Sequence, residues 1–155
     1  MRPFLFLSGL TVAHMNAPAP SPLHIEWTTL QQDHERHERC AIGVKLAAVA
    51  LAVFCMLFTF PLELAAPLLA VVWVTEAMLR TVQGRLGARL LKIEGLIAEG
   101  ADAGAAFRLH REWQAGRPGA LGLLAEYASA ALKPTVAFPH ALLLLMLFAL
   151  AWSGH

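Results

Sequence analysis

Three long apolar stretches, separated by segments in which charged side chains recur, dominate the pattern of this chain. The stretches cover residues 41–60, 61–79 and 134–152. Each is close to the roughly 20 residues that an α-helix needs to cross a hydrocarbon core about 30 Å thick. The pattern predicts an all-α membrane protein with three transmembrane helices, of which the first two form a hairpin.

The hairpin is predicted from the residues between the first two stretches. Pro61 has no amide hydrogen with which to continue the first helix, but proline suits the first turn of a new one. A tight turn near Thr59 to Glu63 therefore reverses the chain. At the far end of the third stretch, Trp152 suits the headgroup region, where amphipathic aromatic rings are favoured.

The segment before the hairpin is predicted to be a tail followed by a helix. Prolines at 18, 20 and 22 favour a disordered or Pro-rich tail over 1–27. Thr28 and Gln31 fit a capping box, which predicts a juxtamembrane helix over 28–40 that continues into the first span. For the first residues, translation from Met15, an unstructured leader, a cleaved signal peptide and a short interfacial helix are open alternatives.

The segment 80–133 is predicted to be a small domain of amphipathic helices. Apolar residues recur at spacings of three and four, and Arg80, Arg85, Arg89 and Lys92 are assigned to the other faces of the same helix. The apolar stripe consists of Leu79, Val82, Leu86, Leu90, Ile93 and Ile97. We interpret it as an interaction surface, for packing within the chain or against a second copy. A helix lying on anionic lipid is the alternative.

Two breaks divide the rest of this segment. Gly100 to Gly104 reads as a turn, and 116–119 contains two glycines and a proline. We expect one short helix between the breaks, carrying Trp113, and another after them, with Leu121, Leu124 and Ala128 aligned.

The distribution of cations predicts an orientation. No Lys or Arg lies between Leu46 and Leu79 or after Lys133, whereas eight of the twelve lie from Arg80 to Lys133. Loops rich in Lys and Arg stay in the cytoplasm. We therefore predict a multi-pass protein of the inner (plasma) membrane. Its N-terminus and 80–133 lie in the cytoplasm, and its hairpin tip and C-terminus lie outside.

Composition bears on the partners and on the class of function. Apolar residues make up 57% and charged residues 15%, against roughly 45–50% and about 25% in a soluble domain. The lipid bilayer is therefore the expected partner, and a net charge of +1 predicts no nucleic-acid partner. Neither a G-x-S-x-G motif nor a phosphate-binding Gly-rich loop with Lys occurs, so we predict no enzymatic activity and no cofactor.

Three ionisable residues lie within the predicted spans at roughly one depth, near the cytoplasmic side: Lys45, Glu76 and His140. Such groups are expected to face the interior of the bundle and to pair, or to extend to the interface. An ion pair of Glu76 with Arg80, four residues on, is an alternative. A proton or ion pathway through this layer is a further hypothesis, which the scarcity of deeper polar residues disfavours.

The juxtamembrane helix carries the other candidate site. His34, His37 and Cys40 fall within about 120° of arc on a helix, so two imidazoles and a thiol could bind a metal such as zinc. The alternatives are a solvated face with i, i+3 and i, i+4 charge pairs, and pH sensitivity through the two histidines.

These observations favour a structural or interaction subunit that acts through its spans and cytoplasmic helices. We expect it to form a homo-oligomer or to bind another membrane protein. The alternative is an oligomeric pore or transporter component that uses the layer of Lys45, Glu76 and His140.

Overall fold

The computed structural model describes residues 19–153, which form helices joined by short turns, without a strand among them. The helices are α1 (Pro22–Leu57), α2 (Leu62–Ala98), α3 (Leu109–Ala115), α4 (Ala120–Ala131) and α5 (Pro134–Ser153), with a 3-10 turn at Ala103–Ala105. The all-helical prediction is confirmed. By length and composition, α1, α2 and α5 are long and apolar enough to cross a membrane.

The first two helices form the predicted hairpin. Thr59 takes a left-handed conformation (φ 50°), and the amide of Phe60 donates back to the carbonyl of Cys55 at 2.9 Å, which closes the end of α1. Pro61 then caps α2. With 36 and 37 residues, both helices are roughly 55 Å long, so each extends well beyond a hydrocarbon core of about 30 Å.

The start of α1 corrects the sequence prediction. The helix begins at Pro22, where Ser21 is the N-cap and its hydroxyl oxygen accepts from the amide of His24. Thr28 is an interior residue whose hydroxyl donates to the carbonyl of His24. The tail predicted over 1–27 is therefore wrong for 22–27, and the juxtamembrane helix and first span form one helix that ends at Leu57. The start-site and signal-peptide alternatives concern 1–18, outside the described residues.

Two separate apolar cores hold the helices together. In the apolar half, small side chains dominate, so the helices approach closely: Ala48, Ala52, Cys55, Ala65, Leu69 and Leu147. In the polar half, Leu86, Leu90 and Ile93 of α2 pack against Leu23 and Leu30 of α1. The centre of the predicted stripe is thus buried within the chain, while Val82 is exposed and Leu79 and Ile97 are half-buried.

Helices α4 and α5 pack on α2, which also contacts α1. Gly100 (φ 68°) ends α2, and the amide of Ala101 donates to the carbonyl of Leu96 at 2.9 Å. The predicted break at 116–119 separates α3 from α4. The chain therefore returns along α2 twice, first as α4 and then as α5.

Candidate functional site

A fully buried carboxylate, Glu76 of α2, is the centre of the candidate site. Lys45 of α1 places its Nζ 2.9 Å from Glu76 Oε1, and His140 of α5 places its Nε2 2.9 Å from Glu76 Oε2. Three helices thus each contribute one ionisable side chain. The structure brings together the three residues that their depth in the apolar stretches singled out.

Arg80 belongs to the same layer. Its Nε lies 3.8 Å from Glu76 Oε1, its Nη1 donates to Gln83 Oε1 at 2.7 Å, and Nη1 lies 4.0 Å from Glu38 Oε1. The two pairings considered for Glu76 therefore coexist. Because Glu76 Oε1 has no hydrogen bond of good geometry despite the short distance to Lys45, charge attraction rather than a directed bond holds this oxygen.

His140 is fixed by a stacking contact. Its ring lies 5.9 Å from that of Trp73 with 14° between the planes, and Trp73 Nε1 donates to the carbonyl of Ala131 at 3.1 Å. His140 Nδ1 is buried and has no hydrogen-bond partner in the described part of the chain. A neutral imidazole protonated on Nε2 donates to Glu76 and leaves Nδ1 as a bare acceptor. The contacts of Nε2 with Glu76 and of the ring with Trp73 together set the orientation of His140.

Beyond this layer, towards the hairpin tip, the interior is apolar. Ala52, Ala65 and Leu69 are fully buried there. The hydroxyl of Thr75 donates to the carbonyl of Val71 in its own helix. Among residues 19–153, no chain of polar side chains continues the layer across the bundle.

A second buried charge cluster was not predicted from the sequence. Arg89 of α2 binds Glu26 of α1 in a bidentate pair, with Nε to Oε1 at 2.9 Å and Nη2 to Oε2 at 3.0 Å. The two residues are 3% and 5% exposed. The amide of Phe107 also donates to Glu26, and the carbonyl of Ala105 accepts from Arg89. Paired planar groups of this kind form strong, directional contacts.

Glu112 of α3 completes this cluster. It accepts from Arg89 Nη1 at 3.1 Å and from Lys92 Nζ at 2.8 Å. The hydrogen bond from Lys92 lowers the pKa of Glu112, and the hydrogen bond to Glu26 raises the pKa of Arg89 although burial opposes it. Arg89 and Glu112 are therefore held in their ionised forms. The cluster ties α3 and the turn before it to the hairpin.

The structure differs from the sequence prediction at both residues of this pair. The pattern of the stripe predicts another face for Arg89, but residues three and four apart share a face, so Arg89 lies among Leu86, Leu90 and Ile93. Glu26 is predicted in the tail, but it belongs to α1. Ser21 followed by Pro22 was the available signal, since serine favours the N-cap and proline the first helical position.

The other predicted site residues are not brought together. On α1, His37 Nδ1 lies 2.8 Å from the carbonyl of Asp33, His34 lies against Gly87 of α2, and Cys40 is exposed. Within residues 19–153, no group of three or more His, Cys, Asp or Glu side chains is placed to hold a metal ion. The zinc hypothesis therefore gains no geometric support.

Comparison with known proteins identifies no relative. No protein-family model, curated protein or solved structure matches this chain. A function must therefore be inferred from the geometry around Glu76, from the outer faces of the helices and from the Arg89 cluster.

Proposed function

We propose that this chain is a multi-pass protein of the inner (plasma) membrane that acts as a structural or interaction subunit. Large apolar side chains, including Leu46, Val71 and Leu145, are exposed on the outer faces of α1, α2 and α5. Apolar patches of this extent are unusual on soluble monomers, and lipid is the solvent that suits them. The cation distribution supports a cytoplasmic N-terminus and 80–133 segment, with the hairpin tip and C-terminus outside.

The closure of the Glu76 layer is the observation that carries the structural role. Glu76 is paired with Lys45, Arg80 and His140 of the same chain, and apolar packing follows beyond it. A conducting path needs polar groups along its length. A layer whose charges pair within the chain, and which apolar packing blocks on one side, instead joins the three helices, which suits a structural subunit.

The outer face of α1 supports self-association. Gly43, Ala47 and Ala50 recur at spacings of four and three, and all three are exposed. A Cβ at Gly43 would meet nothing within 4 Å. Small residues at this spacing let a second helix approach closely in a membrane, so we propose a homo-oligomer that pairs through this face.

Substitution of the small face tests the oligomer. Ala47→Leu is expected to shift the purified protein from an oligomeric to a monomeric mass, measured by light scattering after size exclusion in mild detergent. Ala70→Leu is the matched control, because Ala70 is also an exposed alanine on an apolar helix. A wild-type protein that is monomeric at every concentration, or equal masses for the two variants, would contradict self-association through α1.

Cysteine labelling tests the topology. In a background of Cys40→Ser and Cys55→Ala, single cysteines replace Glu63, Asp102 or Ser153. A membrane-impermeant maleimide applied to intact cells is expected to label positions 63 and 153, with position 102 labelled only after lysis. Labelling of position 102 in intact cells would reverse the orientation.

The alternative role, a pore or transporter component, is favoured by one observation. His140 Nδ1 is buried beside the carboxylate of Glu76, and none of residues 19–153 forms a hydrogen bond with it. Proton flux into liposomes is the discriminating measurement. Flux that requires the wild-type protein and disappears in Glu76→Gln would replace the structural role with this one, whereas flux equal to that of empty liposomes supports the structural role.

A further inference from the structure

A polar cavity of about 470 Å³ lies where α1, α2 and the start of α5 meet. Polar side chains from all three places line it: His34, Glu38, Arg80, Gln83, Lys133 and Thr135. Gly84 of α2 also lines the cavity, and a Cβ at this position would meet nothing within 4 Å. Because Arg80 lies one helical turn from Glu76, the cavity adjoins the Glu76 layer on the side away from the hairpin tip.

Gln83 is a buried side chain whose amide nitrogen has no partner in the described part of the chain. It is 6% exposed, and its Oε1 accepts from Arg80 Nη1 at 2.7 Å. Arginine only donates, so this contact fixes which end of the amide is the oxygen. Nε2 is not enclosed by protein atoms, so its N–H groups are open to the cavity. Buried amides normally have hydrogen-bond partners, and an acceptor in the cavity would supply one.

The positive charge of the lining is only partly balanced. Lys133 is exposed and forms no ion pair within the described part of the chain. The carboxylate oxygens closest to Arg80 lie 3.8 Å away on Glu76 and 4.0 Å away on Glu38. The side chain of Glu38 is 56% exposed, so it can turn to water. The cavity therefore favours an anion.

The start of α5 adds backbone donors to the lining. Thr135 is the second residue of this 20-residue helix, and the first N–H groups of a helix have no partner within it. The positive end of the helix dipole lies at the same place. A helix start of this kind favours an anion, which agrees with the side-chain donors of Gln83 and Lys133.

We propose that this cavity binds a phosphate group, which an anionic phospholipid of the cytoplasmic leaflet supplies. A phosphate fits because its several oxygens can accept from the amide, the guanidinium and the ammonium together. The lipid source rests on the proposed membrane insertion and orientation. Arg80 is the first cation after the apolar stretch 61–79, and Lys133 is the last before the stretch 134–152, so both lie where headgroups are expected. A zwitterionic headgroup fits less well, because its own ammonium would meet these two cations.

Phospholipid retention by the purified full chain tests the site. Mass spectrometry of the intact protein in neutral detergent counts the lipid molecules retained per chain as phosphatidylglycerol or phosphatidylcholine is added. The wild type is expected to retain phosphatidylglycerol at lower concentrations than phosphatidylcholine. Glycerol phosphate, which carries the phosphate without acyl chains, is added as a competitor in a parallel series. It is expected to displace phosphatidylglycerol only at much higher concentrations, which distinguishes a lipid from a soluble ligand.

Two variants alter the cavity in different ways. Lys133→Gln removes one charge and is expected to weaken the retention of phosphatidylglycerol about fivefold. Gly84→Leu keeps every charge but fills the cavity, and a larger loss is expected. Arg111→Gln and Gly95→Leu are the matched controls, because Arg111 is exposed on α3 and a Cβ at Gly95 of α2 would meet nothing within 4 Å. Circular dichroism verifies the fold of each variant, and Lys133→Gln decides alone if Gly84→Leu loses helicity.

Three results would overturn the inference. A folded cavity variant that retains phosphatidylglycerol as well as its control does would show that the lipid binds elsewhere. Equal retention of phosphatidylcholine would show that the site does not select an anion. Displacement by glycerol phosphate at the concentration at which the lipid binds would assign the cavity to a soluble phosphate. Release of the wild-type protein from cell membranes by alkaline carbonate would contradict membrane insertion, and this result is independent of retention in detergent.

Discussion

The two buried charge clusters on α2 are built differently, although each joins α2 to α1. In the apolar half, Glu76 is shared by three donors that approach it singly, and one of its oxygens lacks a well-directed hydrogen bond. In the polar half, Arg89 and Glu26 face each other in a bidentate pair whose remaining donor and acceptor capacity is used by neighbours.

The two clusters differ in whether their charged side chains can reach water or lipid headgroups once a partner is removed. The side chains of Lys45 and Arg80 are 25% and 20% exposed, so they can extend to headgroups when Glu76 is lost. Glu26 has no such route, because it is enclosed by α1, α2 and the turn before α3. The Glu76 layer is thus adjustable, and the Arg89 cluster is the rigid joint of the molecule.

The largest effect is expected at that joint. Arg89→Ala leaves the Glu26 carboxylate buried without its partner, and breaking a buried ion pair in this way costs about 3 to 5 kcal/mol. Unfolding of the protein in detergent, followed by tryptophan fluorescence, measures the loss. Arg111→Ala is the control, because Arg111 is exposed and its loss is expected to stay within about 0.5 kcal/mol. Equal stability of the two variants would show that the joint is unimportant.

Removal of the central carboxylate is expected to have a smaller effect. Glu76→Ala deprives His140 of the one side-chain hydrogen bond that it forms with residues 19–153, and an unsatisfied buried polar group costs about 1 to 3 kcal/mol. Lys45 and Arg80 limit the loss by turning outwards. The same unfolding experiment compares it with Thr75→Ala, a neighbouring change that removes only a bond within α2. A loss greater than that of Arg89→Ala would reverse the ranking of the two clusters.

Substitution of the imidazole is expected to cost less again. His140→Leu removes one hydrogen bond to Glu76, worth about 1 kcal/mol, but it also removes the unpartnered Nδ1, and Glu76 keeps Lys45. His140→Ala is expected to be more destabilising than His140→Leu, because it leaves a cavity beside Trp73. If the two variants unfold alike, the ring contributes through its hydrogen bond and not through its packing.

The two clusters also differ in how well the sequence predicts them. In an apolar run, a charged side chain is stable only where it faces the interior of the bundle or reaches the membrane surface. The depth of Lys45, Glu76 and His140 therefore suffices to predict that they form one interior layer. In the polar half of α2, a charged side chain is also stable in water, so the sequence of α2 does not predict which one is buried. Arg89 is buried because α1 packs against it. That packing depends on Glu26, and thus on a helix start that the capping pattern at Thr28 misplaced.

The smallest effect expected in the rigid joint depends on pH. Because the hydrogen bond from Lys92 lowers the pKa of Glu112 below its usual 4.5, the unfolded chain binds a proton here before the folded one does. The stabilisation is therefore complete above the usual pKa, and it is lost as the pH falls through the folded pKa. The raised pKa of Arg89 has no effect in this range, because that group stays protonated.

Glu112 is 36% exposed, so solvent screening keeps the effect of pH on stability modest. Glu112→Gln is expected to flatten the decline of the unfolding midpoint as the pH falls below the usual 4.5, with Glu99→Gln as the exposed control. If the unfolding midpoint of Glu112→Gln depends on pH as steeply as that of the wild type, α3 is held by the apolar contact of Leu109 and not by the carboxylate of Glu112.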